Sequence, residues 1–518
     1  MKRRSFIEFI GKGTLAVPLL QLGFSGCSSD IEEGIVANNL DEFVLTEGLD
    51  YEILVKWGDR IGGDMFFGYN NDYTAFIPQT NDEALLWVNH EYINTFWVSG
   101  YERNGVITRH LRQVEEEMRN VGGSILKLVK DGGNWKVDFH SSSNFRFNAN
   151  SKIPFEWCEG IAGRTFALGT LGNGGGGLTP WGTILTCEEN YDLFYGERDY
   201  KSVGYFPSPL EWETFTGRPT EHYGWVVEVD PINKTAVKHV ALGRFAHECA
   251  TVHELVDKRV VIYSCDDQNG GCLFKYISDE PSKIYPGKLH VANTNTGQWV
   301  ILDYDNPLLN EYFDSETEML VRCREAAARV GGTALDRPGN IEIDPIDGNV
   351  LISLTNNLSK GNYHGSIAKL KELAGYDGLK FEFDMFLTGG KETGFSCPDD
   401  LSFDKAGNLW FGSDISVSQI GKGEYVPFGN NGLFVLLRNG EQAGQVIQVA
   451  SAPNDAEFTG MYFDAKGETL FLSVQHPGEM SNSEKTTSHW PLGGNEPPMP
   501  AVVAIKGEFL NAIQSKNA

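Results

Sequence analysis

The chain has 518 residues, 41% hydrophobic and 12% aromatic, which is enough to bury a large core and by length alone allows two to four domains. Its formal net charge of -27 argues against nucleic acid as a partner, because phosphate backbones call for Lys/Arg surfaces. The same charge fits an acidic solvated shell or carboxylates gathered around cations.

In chain order, the first element is Met1-Lys-Arg-Arg-Ser-Phe-Ile7, a twin-arginine pair followed by an aromatic residue. The mostly apolar run from Phe9 to Phe24 is short and interrupted by glycine, so it reads as a cleaved export signal rather than a membrane span. It ends in Phe24-Ser-Gly-Cys27, which resembles a bacterial lipoprotein cleavage box and would make Cys27 the lipidated first residue of the mature chain. The expected division is a signal over 1–27, an acidic tether over 28–42 and one propeller domain over 43–518. Export by the twin-arginine route follows, to the periplasm or to the outer membrane or cell surface. Membrane contact would come only through the lipid on Cys27, and a monomer is expected. Seven of the eight cysteines remain after Cys27, and an odd number leaves at least one unpaired within the chain; Cys187 is assigned that place.

Beyond the tether, six segments share one shape: a polar opening, a short apolar strand, a turn with Asp, Asn or Gly, a second strand and a polar end. They begin with 73–91, continue with the pair Glu159–Thr165 and 178–190, and follow at 247–267, 339–357, 398–414 and 459–475. Six such units imply an all-β, six-bladed β-propeller, since each unit buries its faces only against its neighbours. One or two β-sandwiches would share the short strands but have no reason to repeat one internal unit. The stretches near 95–155, 191–224, 268–335 and 477–500 read as insertions, with helical composition at Val114–Asn120 and Glu316–Arg329.

The most informative segment is Leu178 to Asn190, which ends Thr186-Cys-Glu-Glu-Asn190 and sets a thiol beside two carboxylates at the end of an apolar strand. Such groups repel unless a cation sits among them; the bland alternative is a buried Cys followed by a solvated acidic turn. The repeat aligns other polar ends with this one, among them His90-Glu91, Asp266-Asp267, Asp414, Gln475-His476, Glu159, His247-Glu248 and Asp399-Asp400. Convergence of hard oxygen ligands suits calcium, and a thiolate suits iron or another transition metal. Glu91 and Glu248 are better hard-ion ligands than the histidines that precede them, whose alternative is a structural hydrogen bond. Arg337 with its fixed neighbour Pro338 reads as an anion clamp at the same rim, or else as an ion pair with a nearby acid.

Together, Asn70 to Pro78, Trp87-Val-Asn-His-Glu91, Thr179 to Asn190, Gly243-Arg-Phe-Ala-His-Glu248, Ser264-Cys-Asp-Asp267 and Asp336-Arg-Pro338 resemble the PhoX family of bacterial alkaline phosphatases. The resemblance implies a six-bladed propeller with an iron and calcium cluster (Fe3+ and Ca2+) in its central channel, hydrolysing small phosphate esters. It makes Cys187 the thiolate ligand of iron, Glu188 and Glu248 carboxylate ligands, Asp267, Asp400 and Gln475 calcium or supporting contacts, and Arg337 the phosphate clamp. The chain departs from the family where a Glu is expected directly after Arg-Pro: Gly339 and Asn340 stand there, and Glu342 lies too far along its strand. No Gly-x-Ser-x-Gly nucleophile elbow occurs at a strand end, in keeping with a metal-assisted route. Two other readings remain: a calcium-dependent propeller lactonase or esterase, and a surface-tethered propeller whose calcium is structural.

Overall fold

The computed structural model describes residues 34–102, 108–202 and 204–515. The expected signal and lipidation site fall outside those residues. Six sheets of four to six strands, antiparallel but for one pair, dominate, with two small two-stranded ribbons beside them. The first strands of the sheets are Asn71–Pro78, Asn173–Leu178, Thr251–Glu254, Pro338–Ile343, Pro398–Phe403 and Glu457–Phe463, which define blades 1 to 6. Each first strand touches the first strand of the next blade, and that of blade 6 touches that of blade 1, closing a ring around a central channel.

Strand alternation builds the core. Successive residues of a strand point to opposite faces, so the second strand of each blade feeds both neighbours. Leu351 packs with Phe411 of blade 5 while Ile352 packs with Val261 and Tyr263 of blade 3. Trp410 packs with Leu470 and Val503 of blade 6, and Phe471 with Phe76 and Leu86 of blade 1. Burial of each Leu, Ile or Phe in these seams contributes roughly 1.5–3 kcal/mol. The turns of the repeat are held by their aspartates: Asp404 accepts from Ala406 N at 2.9 Å, Asn408 N at 3.0 Å and Trp410 Nε1 at 3.2 Å. Gly407, at φ 79°, completes that turn, because the left-handed region is open to glycine at little cost.

The ring is closed by the start of the chain. Val44–Leu45 adds to blade 5 against Ala450 and Ser451, and Asp50–Lys56 pairs with Ala501–Lys506 of blade 6. The body also reaches into the expected tether. Ile35 N donates to Gln448 O at 2.9 Å, and Asp41 accepts from Ser488 Oγ at 2.6 Å, so the stretch from Gly34 lies on the propeller.

Blade 2 departs from the sequence reading. Its first strand is the glycine-rich Asn173–Leu178, and Lys152–Glu156 joins its outer side parallel to Thr235–His239. The Glu159 segment is therefore peripheral, and Thr317 Oγ1 donates to Glu159 Oε2 at 2.6 Å far from the channel strands. The helical insertions form as expected at Leu111–Asn120, Glu316–Val321 and Cys323–Arg329, with Ser315 Oγ capping Glu318 N at 3.1 Å.

Bulges prepare the channel. In blades 1, 2, 4, 5 and 6 the register between first and second strands slips near the channel end, at Asn71/Thr74, Asn173/Gly176, Pro338/Ile341, Asp399/Leu401 and Thr459/Tyr462. A bulge re-aims the side chains beside it, which here turns polar residues toward the axis.

Candidate active site at the channel mouth

The strand ends and bulges converge on a cavity of about 300 Å³ at one end of the channel. Ten carboxylates line it, from Asp72, Glu91, Glu189, Glu248, Asp267, Asp399, Asp400, Asp414, Glu457 and Glu479, against two basic residues, Arg337 and His476. So large an excess of like charge in a recess stays ionised only with cations present.

Carboxylate oxygens of Glu189, Glu248 and Asp267 all lie within 4.8 Å of one another. The glycine run of blade 2 permits this approach. A Cβ at Gly174 would stand 2.5 Å from Glu189 Oε2 and 3.1 Å from Glu248 Oε2, and one at Gly175 would overlap Glu248 O at 1.6 Å. Burial first, and then the neighbouring acids, push Glu189, Glu248 and Asp72 well above the usual carboxylate range. Burial likewise raises Asp399 and Asp400 to about 7 and Glu457 to about 8. These shifts describe a cup without counter-ions.

A second group sits across the cup. Gln475 Nε2 donates to Glu91 Oε2 at 2.6 Å and reaches Asp72 Oδ2 at 3.3 Å, while Asn190 Nδ2 donates to Glu91 Oε1 at 2.6 Å. Gln475 is fully buried and its Oε1 has no hydrogen-bond partner. An orphaned amide oxygen beside carboxylates is the donor set of a hard cation, so these residues fit calcium.

Arg337 is held bidentately by Asp267, with Nη2 to Oδ2 at 2.6 Å and Nε to Oδ1 at 3.0 Å, and Nη1 reaches Asp414 Oδ2 at 3.1 Å. Three of its five N–H donors are committed, leaving two. His476 lies between Glu457, 3.3 Å from Nε2, and Glu479, 3.6 Å from Nδ1. Burial opposes its charge, but Glu479 and Glu457 outweigh burial and lift it to about 10.

Of the residues singled out from sequence, Glu91, Glu248, Asp267, Asp400 and Arg337 line the cup, and Gln475 stands directly behind it. Glu188 does not. Its Oε1 meets Lys238 Nζ at 2.6 Å, and its Oε2 accepts from Gly224 N at 3.0 Å and Trp225 N at 3.1 Å. The correction is one of alternation: Leu185 and Cys187 face blade 3, so Glu188 turns away and Glu189 takes the cup position. Cys187 is fully buried beneath Glu189, outside the lining, and burial, then Cys249, then Glu189 push its thiol up.

Both candidate histidines are structural. His90 bonds Ser124 Oγ at 2.7 Å and Tyr69 O at 3.2 Å; His247 bonds Ser264 Oγ at 2.8 Å and Gly243 O at 2.9 Å. Glu342 stays out of the cup, as its place along the strand implied. No disulfide forms among the described cysteines, although Cys249 Sγ and Cys265 Sγ are 3.6 Å apart. Sequence reasoning missed Asp72, Glu457 and Glu479. The first two stand immediately before the apolar part of a first strand, a position that the aligned repeat already marked in blade 5 by Asp399 and Asp400.

The profile of the alkaline phosphatase PhoX family matches residues 32–478. Among solved structures, PhoX of Pseudomonas fluorescens in complex with vanadate, a transition state analogue, superposes with a TM-score of 0.82 at 27% identity, covering 92% of this chain and 98% of that one. A protein of unknown function from Dyadobacter fermentans gives 0.44 at 9% identity, over 89% of this chain and 100% of that one. A gluconolactonase from Xanthomonas campestris gives 0.37 at 11%, over 92% and 99%. The last two bear on neither fold detail nor chemistry. No curated protein matches the chain.

Proposed function

The chain belongs to the PhoX family of alkaline phosphatases and is a phosphoric ester hydrolase, and we propose that it hydrolyses small phosphate monoesters at calcium and iron ions held in the channel cup. What carries this reading is one guanidinium, Arg337, fixed by Asp267 and Asp414 at the edge of a cup whose other lining is overwhelmingly carboxylate. An anionic substrate could not enter such a cup without cations, and with them the Arg supplies planar donors for phosphoryl oxygens.

Glu91, Asp72 and Asp400, with Gln475 Oε1, would hold calcium. Glu189, Glu248 and Asp267, with Cys187 beneath them, would hold iron, the softer thiolate favouring the transition metal. When bound, such ions supply Lewis-acid polarisation and neutralise charge on the phosphoryl group. The chain's own part is positioning, which is most of what phosphoryl transfer requires. Asp267 and Asp414 fix the guanidinium plane. Asn190 and Gln475 hold Glu91 in one orientation. His476, cationic between two glutamates, gives the mouth a second positive charge toward an incoming anion.

The same proposal includes export by the twin-arginine route and a lipid anchor on Cys27, which rests on the residues of the N-terminal motif. No helix among the described residues is long and apolar enough to cross a membrane. One chain supplies the whole cup, which supports function as a monomer.

Elemental analysis of natively exported protein, with hydrolysis of an aryl phosphomonoester at alkaline pH before and after chelation, tests the reading. Calcium and iron with chelator-sensitive turnover are expected. Calcium alone, with no turnover, would leave a scaffold and overturn it.

A further inference from the structure

We propose that Asp399 is a cation-holding carboxylate of this cup and that Gly339, one blade away, is a glycine because Asp399 needs its space. The inference rests on the metal-dependent reading above and adds to it one carboxylate and the glycine that makes room for it.

Gly339 lies in the first strand of blade 4 and Asp399 in the first strand of blade 5, and these strands are neighbours in the ring. Both bulge at this level, at Pro338/Ile341 and Asp399/Leu401. A Cβ built on Gly339 would stand 2.5 Å from Asp399 Oδ1, 3.3 Å from its Cγ and 2.8 Å from Ser353 Oγ. Real Cβ atoms do not approach that closely, and the obstacle is a carboxylate fixed by its own bonds. The backbone does not ask for glycine here, since Gly339 is absent from the residues at positive φ that include its neighbour Arg337 at 46°. What position 339 requires is the missing side chain.

Asp399 uses that room in a directed way. Its Oδ1 accepts from Asp400 N at 2.9 Å, from Ser353 Oγ at 3.1 Å and from Asn340 N at 3.4 Å. All three bonds go to one oxygen, which leaves Oδ2 for a ligand. A carboxylate anchored through one oxygen and presenting the other is the arrangement in which a hard cation takes a single oxygen from each side chain. The following residue differs: Asp400 Oδ2 accepts from Met461 N at 3.1 Å, in blade 6. The adjacent pair thus divides, Asp399 leaning on blade 4 and Asp400 on blade 6, and both line the cavity.

Positions 339 and 399 therefore compete for one volume, which holds the Asp399 carboxylate only while position 339 carries no side chain.

The test compares wild type with Asp399→Asn, Gly339→Glu and the double variant Gly339→Glu/Asp399→Gly. Each is stripped by chelation, then titrated with calcium by calorimetry, reloaded with calcium and iron for elemental analysis, and melted with and without metal. Asp399→Asn keeps shape and should keep the metal-free melting temperature while binding calcium roughly tenfold or more weakly, or holding one ion fewer. Gly339→Glu alone should lower the metal-free melting temperature through overlap with Asp399. The double variant should regain both stability and metal relative to Gly339→Glu, the non-additivity expected of groups sharing one space. Unchanged calcium binding and ion count in Asp399→Asn, while wild type binds normally, would overturn the inference and leave the metal-dependent reading standing. A double variant no better than Gly339→Glu would overturn the shared-space argument. A wild type that binds neither metal would instead sink the reading on which the inference rests.

Discussion

Glu188 and Glu189 carry the same side chain at adjacent positions and end in opposite surroundings. Glu188 closes on Lys238 at 2.6 Å with both groups fully buried, and Lys238 also donates to His222 O at 2.9 Å. Burial pushes Glu188 up and Lys238 down, and their mutual attraction opposes both shifts. Glu189 instead meets Glu248 and Asp267, and the one basic group at that cluster, Arg337, is taken by Asp267 at 2.6 Å. The division of faces recurs in blade 3, where Asp266 takes Arg324 at 2.6 Å while Asp267 enters the cup and there holds Arg337 at 2.6 Å. In each acidic pair the first residue is neutralised outside the cup and the second enters it, Glu189 with no basic partner and Asp267 with Arg337. A carboxylate's role is thus set by which face of the strand it occupies and whether a basic partner was built there.

The largest effect should come from breaking the closed side. Lys238→Met leaves Glu188 buried without its partner and should cost about 3–5 kcal/mol of stability, read by denaturant unfolding. Calcium affinity of the folded fraction should stay near wild type. A large loss of calcium binding with full stability would show that the Glu188 side belongs to the site after all.

On the open side, Arg337→Ala and Glu189→Gln should each lower turnover by about 10²–10³-fold, the range for losing one pre-set electrostatic group. The metal-free melting temperature of Glu189→Gln should hold or rise, since one repelling charge is gone. If Glu189→Gln unfolds the protein while turnover per folded molecule is unchanged, the contrast between the two glutamates fails.

Gly174→Ala sharpens the comparison with a single methyl group, which would stand 2.5 Å from Glu189 Oε2. It should weaken iron binding by roughly tenfold, with a smaller loss of stability. Equal iron affinity would mean that Glu189 can move aside without consequence.

The smallest effect is a pH dependence peculiar to the metal-free cup. Asp399 and Asp400 are raised from 3.8 to about 7, and Glu457 from 4.5 to about 8. Between those limits the folded chain binds protons that the unfolded chain does not, so stability falls as pH rises from about 4 to about 8. The stripped protein should melt higher at pH 5 than at pH 8.5, and added calcium should narrow the gap at the alkaline end. Melting curves without that slope would show that the carboxylates are already neutralised by something other than metal.

Much of this architecture was legible in the chain itself. The inner strands of each blade form a local meander with turns such as that from Asp404 to Asn408, so the repeat and the blade count could be read without long-range information. The same locality marked Glu91, Glu248, Asp267, Asp400 and Arg337, which stand at equivalent strand ends. What tertiary structure decided lies between blades. The turning of Glu188 toward Lys238 depends on a strand that arrives fifty residues later. Asp72 enters the cup through a bulge in blade 1, and Glu457 and Glu479 enter from either side of the strand pair in blade 6 that was read only from Thr459 to Gln475. The departure at Gly339 reads in sequence as a missing ligand; only the packing of blade 5 against blade 4 shows a carboxylate from Asp399 in the space. Period-two alternation and turn chemistry are local and survive in the sequence, whereas the register of a bulge and the partner of a buried charge are fixed by whichever neighbour closes against them.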